Sequence, residues 1–271
     1  MSRLVPVSDP ADPRLAPYRD VRERDLTRAG ELVAEGRVVL DHLLGAAAAF
    51  APVSLLVLRN RLAGLEPVLD RLPPDCPVFV AEGAVMDAVA GFAVHRGVLL
   101  HARRRAEALP DFAALAAELG RTGGVGVVGI GLSNHDNVGA LFRNASAFGA
   151  RFVALDAGSC DPFYRKAIRV SVGAVFSVPF ARVASAADAA ETLRRAGVRC
   201  LALTPRGARL LAALEPAVPS ALFLGAEGEG LPETVIGAME SIAIEMAPGL
   251  DSLNVSTAAA IVLHHLYAGR R

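Results

Sequence analysis

The 271-residue chain has no tryptophan, three tyrosines, three cysteines and a single lysine, Lys166. Cys76, Cys160 and Cys200 lie far apart with no C-x-x-C spacing, which argues against a disulfide framework or a thiolate zinc site and for the reducing cytoplasm. Charge of one sign is missing too. The 28 basic groups balance 28 acidic ones, so a nucleic acid would be held by a local patch rather than by overall charge. The first residues, MSRLVPVSDPADPR, carry prolines and acids where a signal peptide needs an apolar stretch, so no secretory leader is expected. Long apolar runs are also scarce. The candidate membrane segment, Leu43 to Leu58, falls short of the ~20 residues a spanning helix needs and contains Pro52. It reads as a helix end, a turn and a buried strand.

What is present is a globular composition, 53% apolar and 21% charged, in a chain long enough to bury a core without disulfides or a structural metal. Short β-branched or leucine-rich runs alternate with alanine-rich amphipathic stretches, the pattern of an α/β fold with a largely parallel sheet. Two blocks emerge. The first has a strand near Leu32 to Ala34, a helix from Arg37, and strands at Val53 to Leu58, Val78 to Ala81 and Gly97 to Leu100. A linker is expected from the cluster Arg103 to Arg105 up to Asp111, which can cap a helix running to Leu119. The second block has strands at Gly124 to Gly129, Phe152 to Leu155, Val198 to Leu203, Ala221 to Leu224 and Ile242 to Met246. Helices fit at Val138 to Phe148, Ala186 to Ala196 and Leu253 to Ala268.

Gly124, Gly126 and Gly129 spell G-x-G-x-x-G, and Asp156 follows at a later strand end, as in a nicotinamide-binding fingerprint. In that fingerprint a strand precedes the first glycine and a helix opens within the motif. Here the glycines interleave with Val125, Val127, Val128 and Ile130 in the strand itself, so their expected role is close backbone approach within the sheet.

Three polar turns in the second block carry the functional signal. The first, Gly131 to Asp136, opens Asn137-Val-Gly139-Ala-Leu-Phe-Arg143, where Asn137 can cap the helix and Arg143 lies within two turns of it. The second is the glycine-dense Leu224-Gly225-Ala-Glu227-Gly228-Glu229-Gly230-Leu231-Pro232, where main-chain amides can approach a flat ligand. The third, Ile244-Glu245-Met246-Ala-Pro-Gly249-Leu-Asp-Ser252-Leu253-Asn254-Val255-Ser256, leads into the last helix. All three follow strands, which is where an open α/β sheet binds ligands.

In this order and spacing the three segments resemble the SpoU (TrmH-type) family of 2'-O-ribose RNA methyltransferases, of the SPOUT superfamily. The likeness extends to the first block through Val33-Ala-Glu35-Gly36 and Gly91-Phe-Ala-Val-His95-Arg96-Gly97. The resemblance implies a small N-terminal α/β RNA-binding domain over residues 1–106 and an α/β methyltransferase domain with a C-terminal trefoil knot over residues 107–271. It further implies S-adenosylmethionine as methyl donor, tRNA or rRNA as substrate, and a homodimer. Carried over by position, Arg143 is the family's essential arginine, Asn137 its motif asparagine, and Ser252 and Asn254 the polar pair lining the reaction site. Gly225, Glu227, Gly228 and Gly230, with Ile244, Met246 and Leu253, match donor contacts. Lys166, Arg169 and Ser171 become candidates for holding RNA phosphate. Glu245 departs from the family, where most members carry proline.

A guanidinium is effectively always protonated, so Arg143 is better suited to clamp a phosphate and stabilise developing negative charge than to take a proton. Phosphate or water would then accept the proton. His135 is a second candidate base, although as a loop residue it is also an ordinary solvated histidine. His42, His95 and His101 have no metal-ligand spacing, and His264 and His265 are adjacent, so no metal is expected. Arg19, Arg22, Arg24 and Arg28, or Arg103 to Arg105, are candidates for recruiting RNA. Two other functions fit: an RNA-binding module of the same fold without catalysis, and a nicotinamide-dependent oxidoreductase.

Overall fold

The computed structural model describes residues 4–19, 23–46, 48–90, 96–105, 109–216, 219–249 and 252–269. The chain divides into two compact units, Met1–Ala108 with Phe163–Ser177, and Leu109–Pro162 with Val178–Arg271. Arg22, the stretch 91–95 with His95, residues 106–108 and the side chain of Arg24 lie outside the described residues.

The first unit begins with β1 (Leu4–Val7), α1 (Glu23–Arg28), β2 (Glu31–Glu35), α2 (Arg37–Gly45) and β3 (Phe50–Leu58). It continues with α3 (Glu66–Leu69), β4 (Val78–Ala81), α4 (Gly83–Ala90) and β5 (Val98–Arg104). These strands form a mixed sheet in the order β1-β4-β3-β5-β2, in which β5 runs antiparallel to both β2 and β3. Leu55, Leu56, Val57, Leu99 and Leu100 are fully buried, as expected of inner strands covered on both faces. Pro52 is tolerated in β3 because β4 pairs with β3 only from Leu55 to Leu58, leaving one neighbouring strand beside Pro52, and the ladder to β5 shifts register between Pro52 and Ser54. Strand β5 outruns its expected end: Arg103 pairs with Glu31 and Arg104 with Phe50, so most of the arginine cluster read as linker belongs to the sheet.

The second unit begins with α5 (Phe112–Thr122), β6 (Val125–Gly129), α6 (His135–Ala147) and β7 (Val153–Leu155). The chain then contributes α7 (Arg165–Val170) to the first unit. Phe163 and Phe176, flanking α7, meet the Phe50 ring edge-on at 5.2 and 5.1 Å, and the Arg104 guanidinium lies 5.4 Å from the Phe163 centroid. Such aromatic contacts add about 0.5–1.5 kcal/mol each beyond area burial, which accounts for where the segment packs.

The second unit resumes with β8 (Phe180–Arg182), α8 (Ala186–Arg195), β9 (Arg199–Leu203) and β10 (Arg209–Leu210). It ends with β11 (Ser220–Leu224), α9 (Glu233–Ile236), β12 (Glu240–Ala243) and α10 (Val255–Ala268). Its seven strands run parallel in the order β10-β12-β9-β11-β6-β7-β8. Asp111 caps α5 by accepting the Ala114 N–H at 3.1 Å. Gly126 lies inside β6, where a Cβ would overlap the Phe152 ring, so the glycine pattern serves sheet packing and no helix opens within it. One strand is displaced from its expected position: Ile242 to Met246 is replaced by Glu240–Ala243, because β12 pairs with β9 only from Glu240 to Ile242. Ile244 and Met246 therefore lie in the loop beyond the sheet.

Candidate active site

Because the strands of the second sheet are parallel, their C-terminal ends share one edge, and the three polar segments emerge there. The turn after β6 is tied to the loop after β11: Ile130 N–H donates to Leu224 O at 2.9 Å, and Gly131 faces the Cβ of Ala226. Gly225 is required by close approach, since a Cβ there would overlap the backbone of Gly230 and Leu231. The loop closes on itself through Gly230 N–H to Ala226 O at 2.9 Å, with Gly228 and Gly230 at φ +91° and +71°. Glu227, Gly228 and Gly230 are exposed at this edge, and Gly225 is half-buried.

The first and third segments meet through side chains. Asn137 is not the cap of α6; that role falls to Asn134, whose Oδ1 accepts the Asp136 N–H at 2.8 Å. Asn137 sits in the first turn, only 5% exposed, and its Oδ1 accepts from Asn254 Nδ2 at 2.8 Å. Asn254 is itself the cap of α10, accepting the N–H groups of Ser256 and Thr257 at 3.0 and 3.3 Å. Two turns along α6 from Asn137, Asn144 Nδ2 donates to Ser256 O at 2.8 Å. Arg143 is exposed, roughly 9 Å along the helix axis from Asn137 at 1.5 Å per residue, and has no ion pair among the described residues. Ser252 is exposed, while Ile244, Met246 and Leu253 are half-buried around the third loop and Glu245 is exposed.

Sequence reasoning missed the groups that hold the turn after β6. Asp156, at the end of β7, accepts the Gly131 N–H at 2.9 Å and the Ser159 N–H and O–H at 3.0 and 2.6 Å. Ser159 Oγ in turn accepts the Leu132 N–H at 2.9 Å. Burial alone would raise the Asp156 pKa, but these hydrogen bonds outweigh it and hold the carboxyl below its ordinary value. The readable signal was an Asp followed three residues later by Ser at a strand end, a local turn pattern.

The remaining candidates are placed as follows. Lys166 and Arg169 are exposed on α7, in the first unit, whereas Ser171 is 1% exposed with its hydroxyl donating to Ile168 O at 2.9 Å. His135 is half-buried at the start of α6, and His265 Nε2 is hydrogen-bonded to Leu214 O at 2.8 Å. Among the described residues no group of three His, Cys, Asp or Glu is placed to hold a metal, and no helix is long and apolar enough to cross a membrane.

A parallel α/β sheet with polar, glycine-rich loops converging at its C-terminal edge defines a ligand-binding α/β protein. The model of the SpoU rRNA methylase family matches residues 124–264, which carry all of these loops. Uncharacterized tRNA/rRNA methyltransferases of Mycobacterium tuberculosis (H37Rv) and Mycobacterium bovis are each 38% identical over 270 residues, covering 95% of this chain and 90% of theirs. The chain belongs to the SpoU rRNA methylase family. Its fold is shared with an AdoMet-bound rRNA methyltransferase from Sinorhizobium meliloti, at 21% identity and TM-score 0.83 over 98% of both chains. It is shared also with an RNA 2'-O ribose methyltransferase, at 24% identity and TM-score 0.78 over 98% of this chain and 99% of the other.

Proposed function

We propose that the protein transfers a methyl group from S-adenosylmethionine to a ribose 2'-hydroxyl of tRNA or rRNA. The observation that carries this reading is the junction of Asn137 with Asn254, within two helical turns of Arg143, which has no ion pair among the described residues, at the edge where the glycine loop emerges. Family membership supports methyl transfer to RNA, and the two proteins of shared fold are an AdoMet-bound rRNA methyltransferase and an RNA 2'-O ribose methyltransferase.

The residues at this edge suit the donor. The tight turn at Gly225 presents exposed backbone at Glu227, Gly228 and Gly230, and half-buried Ile244, Met246 and Leu253 offer apolar contact to a flat base. When bound, the donor supplies an electrophilic methyl on a sulfonium. The chain's part is to position the 2'-oxygen in line with that methyl and to stabilise the charge that develops on it. Arg143 clamps an adjacent phosphate through its planar fork, Ser252 lines the sugar, and Asn254 acts through the neighbouring Asn137. Lys166 and Arg169, exposed on α7, hold RNA phosphate. Ser171, whose hydroxyl and N–H are both taken within the helix end, supports the turn that carries them.

A C-terminal knot and a homodimer complete the reading. The knot is supported by the fastening of α10 to the segment before β11, through His265 to Leu214 O and through Gly269 against Pro216. The dimer is supported by the α10 face that leaves Ile261 and His264 exposed beside Phe148, whose ring lies 5.6 Å from that of His264.

The test is incubation with isotopically labelled S-adenosylmethionine and unmethylated tRNA and rRNA, followed by nucleoside mass spectrometry. Label is expected in 2'-O-methyl nucleosides. Label only in base-methylated nucleosides would overturn the ribose assignment.

A further inference from the structure

Asn137 is nine-tenths buried, yet half of its amide is unaccounted for. Its Oδ1 accepts from Asn254, but its Nδ2 has no hydrogen-bond partner among the described residues. That nitrogen is not sealed from solvent, so the donor faces the open side of the junction and is available to a ligand.

The two ends of an asparagine amide are assigned by their surroundings, and here the assignment is forced. The backbone N–H groups of Ser256 and Thr257 can only donate, so the atom of Asn254 that receives them is the oxygen. Ser256 Oγ reinforces it from 2.7 Å. The NH2 of Asn254 must then face Asn137, which requires the oxygen of Asn137 to face back. The remaining direction at Asn137 is left to its own NH2. Asn144 holds the same turn of α10 from α6 by donating to Ser256 O, which fixes the spacing of the two helix starts.

We infer that the cap of α10 is a polarity relay. The first-turn amides of α10 orient Asn254, Asn254 orients Asn137, and Asn137 therefore offers the site N–H donors and no acceptor. Asn254, Asn144 and Ser256 are positioning residues, and Asn137 is the group that touches the substrate. Its ligand is an oxygen lone pair of the RNA sugar-phosphate backbone, on a phosphate or on the ribose. A donor such as a base amino group is refused. This deepens the reading of the site given above and rests on it.

The discriminating variant is Asn254→Asp. A carboxylate caps α10 as well as an amide does, so folding, thermal midpoint and calorimetric affinity for S-adenosylhomocysteine are expected to match wild type. A carboxylate has no hydrogen to give, however, so Asn137 must rotate to donate to it and turn its carbonyl toward the site. The kcat/KM for methyl transfer to unmethylated RNA is expected to fall about 30-fold or more, the scale of a donor to the substrate replaced by an acceptor. Relative to wild type, activity should recover as pH falls and the new carboxyl is protonated, because a protonated carboxyl donates again. Asn254→Ser keeps a capping oxygen without charge but cannot reach Asn137, and should lose about 3- to 10-fold with no such recovery.

Transfer by Asn254→Asp within about threefold of wild type would overturn the relay, as would wild-type transfer by Asn254→Ser, which would reduce the Asp effect to charge alone. The wild-type product separates the two questions. A base-methylated product defeats the ribose reading, whereas the ratio of variant to wild-type transfer defeats or sustains the relay.

Discussion

The carboxylate of Asp156 accepts the backbone N–H of Gly131 at 2.9 Å, so the end of β7 holds the turn that begins the first functional segment. Gly131 faces Ala226 of the glycine loop, and a loss at Asp156 therefore reaches two of the three segments. Asp156→Ala is expected to destabilise the second unit by about 2 kcal/mol at neutral pH, the scale of hydrogen bonds to a charged group whose donors are left unmet. Its folded-state pKa is depressed, so this stabilisation is present above the unfolded carboxylate value and is lost as pH falls through the folded one. Denaturant titrations of wild type and variant should thus diverge near neutrality and converge in acid. A constant difference across pH would mean that the ionised carboxylate is not the anchor.

Arg143 stands exposed on α6 without an ion-pair partner among the described residues, which leaves its planar fork available to a phosphate. Arg143→Lys keeps the charge and loses the bidentate geometry. Methyl transfer is expected to drop about 100-fold, comparable to removal of one preorganised charge-stabilising group, with S-adenosylhomocysteine affinity unchanged by calorimetry. Activity close to wild type would show that charge alone suffices.

How much of this was legible in the sequence differs by element. The inner strands β4, β6 and β11 were readable because apolar runs bounded by turns announce strands buried on both faces. The short edge strands β8 and β10 were not, since three and two residues carry no period. The displaced β12 arose because Ile244 and Met246 continue the apolar run after β9, its partner, has ended. Asn134 and Asn137 are both good caps three residues apart, and only burial separates them: the first faces solvent and the second turns inward to Asn254. The resemblance located the loops and Arg143, but a one-dimensional motif cannot reveal that Asn144 and Ser256 join two helices 112 positions apart. Nor could it assign α7, whose flanking aromatics find their partner in Phe50.

Lys166 and Arg169 lie exposed on α7, one ending in a compact ammonium, the other in a planar guanidinium. If both neutralise RNA phosphates, affinity falls as salt rises, and each lost contact lowers the slope of log affinity against log salt by about 0.7 to 0.9. The Lys166→Ala/Arg169→Ala pair is expected to bind structured RNA more weakly at low salt and with a shallower salt dependence. Fluorescence titration at several salt concentrations checks this. An unchanged slope would remove α7 from the interface.

The first unit contains a buried histidine whose titration should be visible in its stability. His101, on β5, is 3% exposed, and its Nε2 lies 3.0 Å from Glu31 Oε2 across the β2 pairing, with Arg103 on the other carboxylate oxygen at 2.7 Å. The Tyr18 ring meets the imidazole edge-on at 6.2 Å, and Nδ1 has no hydrogen-bond partner among the described residues. Burial pushes the His101 pKa down, more than the neighbouring carboxylate pushes it up. The folded state thus holds the ring neutral, while the unfolded chain takes up a proton near pH 6.5. Below that value the unfolded state binds more protons, so stability declines as pH falls. Glu31 acts in the same direction at lower pH. Burial would raise its pKa, but hydrogen bonds from Arg103 and His101 outweigh this and hold it below the ordinary value, so its contribution disappears in acid. Stability followed by amide exchange in β2 and β5 is expected to fall between about pH 7.5 and pH 5 in wild type. In His101→Gln, which keeps an N–H for Glu31 and cannot titrate, the decline over that interval should be smaller, and equal declines would show that the buried imidazole does not govern it.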